Sequence, residues 1–139
     1  MFTSRLTSRI ATTLAVTGAG FIGYIGVRYM ADPQAMAPSF GFKTYPTGDA
    51  ADFLNVKGVR DVISGLVPVA LLVAGQRKSA GIAMLVTALI PTGDMLSILR
   101  HDGSTATALG VHGVTAALVA LTGVLLVNER TAETRAVTA

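Results

Sequence analysis

Four apolar runs separated by short polar punctuation make up most of the chain. The first extends from about Ile10 to Tyr29, with Arg5 and Arg9 before it and Arg28 at its end. The others run from about Asp52 to Ala74, Ser79 to Leu99 and Thr105 to Val127. Each is roughly 18 to 23 residues long, the length a helix rising 1.5 Å per residue needs to cross a hydrocarbon layer of ~30 Å. The pattern predicts an all-α fold: an integral membrane antiparallel four-helix bundle. It occupies 1–139 as one domain, with helices at about 10–29, 52–74, 79–99 and 105–127.

The punctuation fits this division. Pro33, Pro38, Pro46, Gly41 and Gly48 make 31–51 a loop, and Asp49 or Asp52 is placed to cap the second helix. Gln76-Arg77-Lys78 and Arg100-His101-Asp102-Gly103-Ser104 read as tight turns, and the polar segment 128–139 as a frayed tail. A basic start before an apolar run is also how a secretory signal begins. This run is long for a signal, however, and Arg28-Tyr29-Met30 is a poor cleavage context, so the segment is read as a spanning helix.

Composition sharpens the choice of solvent. Hydrophobic residues make up 51% and charged residues 14% of the chain, against about 25% charged in a soluble domain. Mean hydropathy is +0.59. The partner this implies is the lipid bilayer. The net charge of +3 does not indicate nucleic acid, because the basic residues flank apolar blocks instead of forming a patch with interleaved aromatics. Four crossings put both termini on one side together with Arg5, Arg9, Arg77, Lys78, Arg130 and Arg135. The positive-inside rule makes that side cytoplasmic, in a plasma or inner membrane.

Glycines at 20, 23, 26, 110 and 113, with Ala117, are expected to let helix backbones approach. All eight aromatic residues lie within the first 53 positions. Tyr29, Phe40, Phe42, Tyr45 and Phe53 fall in or beside the long loop, and read first as an interfacial belt. A lid folding over the bundle mouth is the alternative.

The chemistry gathers at one end. Lys57, Arg60, Asp61, Ser64, Gly65 and Pro68 follow the i, i+3, i+4, i+7, i+8, i+11 series, which is one face of a helix. Charged residues at a helix centre cost about 2.5 to 3.5 kcal/mol each on insertion scales, so they call for partners. Lys57 and Asp61, four apart, can pair. By topology Arg28, Lys57, Arg60, Asp61, Asp94 and His112 all fall within roughly 10–15 Å of the non-cytoplasmic face, and all four helices contribute. These six are the candidate ligand-binding residues. Pro68 and Pro91 free backbone groups on the helices that carry Asp61 and Asp94.

Other chemistries find no support. There are two histidines and no cysteines, leaving neither thiol chemistry nor a recognisable metal site. Gly18-Ala19-Gly20-Phe21-Ile22-Gly23 spells a dinucleotide fingerprint, but it lies inside an apolar helix without the strand that motif requires. No serine stands in a nucleophile-elbow context. The sequence does not identify a cofactor.

Phe53-x-x-x-Lys57-Gly58-x-Arg60-Asp61, Arg28-Tyr29 with the Pro33/Pro38 loop, and His112-Gly113 resemble the small membrane family catalogued as domain of unknown function 4267. The layout from about Ile10 to Val127 is more loosely similar to the DoxX-like four-helix membrane proteins. The resemblance implies the architecture and directs attention to Lys57, Arg60 and Asp61; it implies no activity. Several functions remain open at this level. The cluster could hold the polar head of a small lipophilic ligand. It could serve a small membrane isomerase or cyclase, with Asp61, Asp94 and His112 as acid–base groups and Arg60 stabilising negative charge. It could be a structural salt-bridge clamp, or part of a proton-coupled transport subunit working as a homo-oligomer.

Overall fold

A computed structural model describes residues 4–129, and every regular element among them is helical. Most of the expected polar tail, including Arg130 and Arg135, lies outside the described residues. Helix α1 spans Ser4–Ala31, beginning well before the apolar run does. Helix α2 is Leu54–Val73, α3 is Arg77–Arg100 and α4 is Thr105–Val127.

Helices α1, α3 and α4 are long and apolar enough to cross a membrane, and only 17% of the most apolar window of each is buried within the protein. Apolar side chains such as Phe21, Val86, Leu89, Leu109 and Leu121 therefore face outward. Helix α2 is 20 residues long, about 30 Å at the helical rise. It differs in carrying Lys57, Arg60 and Asp61 in its first half.

Local chemistry sets where the helices break. Asp32 ends α1 and caps a single turn, Pro33–Met36, by accepting the Ala35 N–H at 3.0 Å, with Pro33 in the first helical position. A 3-10 turn, Ala37–Phe40, follows. A second 3-10 turn, Gly48–Phe53, runs straight into α2. The expected Asp49 or Asp52 cap is not used: the Leu54 N–H already bonds back to the carbonyls of Ala51 and Asp52, and Phe53 precedes α2 without a side-chain cap. Helix α2 ends at Val73 and is closed by Gly75 (φ +73°), where Gly75 N–H reaches Leu72 O and Gln76 N–H reaches Leu71 O, the paired bonds of a Schellman ending. Pro91 cannot donate to Thr87, and α3 is interrupted there, dividing at Ala88 into Arg77–Thr87 and Leu89–Arg100. Within α4, Ala108–Gly113 is a π-helical turn.

Backbone-to-backbone packing organises the helices in pairs. A Cβ on Gly26 would stand 2.6 Å from Gly58 O, one on Gly58 2.7 Å from Gly26 O, and one on Gly65 2.7 Å from Ala19 O. Only glycine permits that approach of α1 to α2. Gly81 of α3 and Gly123 of α4 meet reciprocally, each Cβ position 2.8 Å from the other's carbonyl oxygen. Of the glycines expected to pack, Gly26 does. Gly113 would bring a Cβ within 3.1 Å of Met95 sulfur, while Gly20, Gly23 and Gly110 face open space. The helical spacing was right, but the inward arc of each helix is narrower than its stripe of small residues.

Away from the candidate site, Arg77 ties three helices together. Its guanidinium donates to Glu129 Oε1 at 2.8 Å, Thr12 Oγ1 at 3.0 Å and Ser8 O at 3.2 Å. Ala11, Ala15, Ala80, Met84 and Leu126 form a small core close by.

Candidate functional site

The polar stripe of α2 faces the protein: Gly58, Asp61, Gly65 and Pro68 are its buried residues. Asp61 is 2% exposed. Its Oδ2 accepts from Lys57 Nζ, one helical turn away, and its Oδ1 lies 3.5 Å from Arg60 Nε. That last distance gives attraction without a hydrogen bond, and Arg60 Nε has no hydrogen-bond partner. The far end of the same guanidinium crosses to α3, where Arg60 Nη2 donates to Asp94 Oδ2 at 3.2 Å. Asp94 lies beyond the interruption at Ala88, on the Leu89–Arg100 piece of α3.

His112 enters from α4. It sits in the π turn, where wider winding shifts the register of the following residues. Its Nδ1 is 3.9 Å from Asp94 Oδ2, and its Nε2 is 3.1 Å from the Phe40 carbonyl oxygen. The cluster thus runs Lys57–Asp61–Arg60–Asp94–His112, and through Phe40 it reaches the segment between α1 and α2.

That segment folds over the cluster as a strap. Phe40 stacks on Phe42 with ring centres 5.2 Å apart and tilts against His112 at 5.0 Å. Phe42 meets His101 edge-on at 5.8 Å. Gly41, with φ +111°, accepts the Ser104 N–H at 2.8 Å, and a Cβ there would lie 2.9 Å from the Thr107 side chain. Ser39 Oγ lies 3.3 Å from Tyr29 Oη. Phe40 and Phe42 are therefore a cover, whereas Phe53, 80% exposed, keeps the outward position expected of a belt residue.

Five of the six candidate residues come together. Arg28 does not: it is exposed and donates to Tyr24 Oη at 3.1 Å. The inward place belongs to its neighbour Tyr29, which is 2% exposed and lies under the Lys57 ammonium at 4.3 Å from ring centre to nitrogen. One residue along a helix is a rotation of about 100°, and the spacing Ala11, Ala15, Gly26, Tyr29 marks the buried face. Sequence reasoning chose the charge and missed the ring on that face. It also missed Phe40 as an acceptor, because a backbone carbonyl leaves no residue-type signal.

Between strap and helices lies an open hollow of about 210 Å³. Phe40, Phe42, Tyr45 and Leu54 supply apolar lining, and Lys57, Arg60 and Asp94 supply the polar groups. Among the described residues no group of three or more His, Asp or Glu side chains is placed to hold a metal ion.

Over residues 18–126 the chain matches the family described as Domain of unknown function (DUF4267). The chain belongs to this DUF4267 family. Neither a curated protein nor a solved structure matches it, and the looser likeness to DoxX-like proteins has no counterpart in these comparisons. The matched region contains Tyr29, the strap, Lys57, Arg60, Asp61, Asp94 and His112, so the whole constellation lies inside the DUF4267 domain.

Proposed function

We propose that this DUF4267 protein is a single-domain, antiparallel four-helix transmembrane bundle. On this proposal it binds a small lipophilic molecule by its polar head at the Lys57–Arg60–Asp94 wall. The observation that carries the ligand reading is the hollow itself, where aromatic strap residues and ion-paired side chains share one opening. Binding sites are commonly apolar with a few convergent polar groups, and ionisable groups within a membrane domain are functional candidates by default. Outward apolar faces on α1, α3 and α4 support the membrane setting. The inward stripe of α2 supports a fourth crossing whose charges are paired inside the protein. Arg5, Arg9, Arg77 and Lys78 favour cytoplasmic termini, with the site near the opposite face.

Within this reading the cluster has two parts. Asp61, buried and flanked by two cations, positions Lys57 and Arg60. Arg60, whose side chain is 39% exposed, and Asp94 meet the ligand. Thermal unfolding of the purified protein in neutral detergent, over a panel of lipophiles, tests it. At least one compound is expected to raise the Tm of the wild type and to leave Arg60→Gln unchanged; equal Tm across the panel would count against the ligand.

A second reading is favoured by one observation: Asp94, in the wall of the hollow, is backed by His112. That pairing suits acid–base chemistry on the bound molecule, an isomerisation or cyclisation with Arg60 stabilising developing negative charge. Full biological function retained by folded Asp94→Asn and His112→Ala proteins would exclude it.

A further inference from the structure

We propose that the head group taken by the hollow is a single carboxylate, carried on a single-chain lipophile. The inference rests on the hollow being a ligand site, and it comes from three properties of the wall.

The first is an excess of donors. A lysine ammonium has three N–H groups and a guanidinium five, and neither can accept. One from Lys57 goes to Asp61 and one from Arg60 to Asp94, while Arg60 Nε has no hydrogen-bond partner. Asp94, the acidic side chain of the lining, already accepts from Arg60 and faces His112. Asp94 is the one carboxylate of that lining, so donors outnumber acceptors there, and a ligand carboxylate supplies further oxygens in the two-oxygen form that matches a guanidinium.

The second is charge. Lys57 and Arg60 are the cations that line the hollow and Asp94 is the carboxylate that lines it, while Asp61 is buried behind them. The lining thus carries one more positive than negative side chain, and a ligand head with one negative charge complements it.

The third is size. A hollow of about 210 Å³ equals roughly seven water volumes at ~30 Å³ each. That accommodates a carboxylate and a few methylenes against Phe40, Phe42 and Leu54, with the rest of the chain outside.

Binding of palmitate, methyl palmitate, hexadecylamine and hexadecyl phosphate to the purified protein in neutral detergent tests the proposal. Palmitate is expected to bind at least about ten-fold more tightly than its ester. Arg60→Gln should abolish that difference and Arg60→Lys should keep part of it. Equal affinity for acid and ester, or preference for the amine or the phosphate, would overturn the carboxylate and leave the ligand site standing. So would no binding of the four when another lipophile stabilises the protein. No binding of the four together with a silent lipophile panel would remove the site itself.

Discussion

Arg60 and Asp94, 34 residues apart, join α2 to α3 through a 3.2 Å contact at the edge of the hollow. The pair lies where a local structural device meets an opening. Asp61 holds the Arg60 guanidinium from behind, and His112 stands beside Asp94.

Asp61 is expected to be the costliest single change. Asp61→Asn leaves Lys57, whose side chain is 13% exposed, without its anion. Removing one member of a buried pair costs about 3–5 kcal/mol. Unfolding in detergent should show a loss of that size, partly recovered when Lys57→Met is added. Additive losses in the double variant would mean that the two residues do not depend on each other.

Arg60→Gln should behave differently. The partly exposed side chain contributes about 1 kcal/mol or less to folding, so the variant should unfold close to the wild type while losing ligand-induced stabilisation. Collapse of the fold in this variant would move Arg60 from the ligand to the framework.

The α1–α2 contact depends on absent side chains. Gly58→Val would drive a side chain into Gly26 O and Met30. Overpacking costs about 1–3 kcal/mol. Gly20→Val, which meets open space, should be nearly neutral in the same unfolding assay.

The strap should loosen when His112 can no longer donate. His112→Phe retains the contact with the Phe40 ring but removes the hydrogen bond to the Phe40 carbonyl. A loss of about 1 kcal/mol corresponds to roughly five-fold more frequent opening. Amide exchange over residues 37–42 should accelerate by that factor, with α3 unchanged. Unaltered exchange would show that Gly41 and Ser104 hold the strap alone.

The helical character of the chain was readable because apolar runs of spanning length and turn residues agree with each other. The inward stripe of α2 followed from the spacing of Lys57, Asp61, Gly65 and Pro68, which needs only the helical repeat. Five charged or titratable members of the cluster followed from topology. What escaped were features without a compositional signature. Residue type alone could not show that Arg28 turns outward and Tyr29 inward. Nor could it place Phe40 and Phe42 over His112 and His101, since a loop's path depends on bonds such as Ser104 N–H to Gly41 O. The π turn carrying His112 is likewise set by packing, not by any residue peculiar to Ala108–Gly113.

Native mass spectrometry of the protein extracted from its own membranes, beside an Arg60→Gln variant of equal stability, tests the central claim most directly. The account predicts a defined small molecule, acidic and single-chained, that travels with the wild type and is lost from the variant. Protein without a bound molecule in both samples, with the charged cluster mattering only to stability, would contradict it and leave Lys57, Arg60, Asp61, Asp94 and His112 as a clamp between helices.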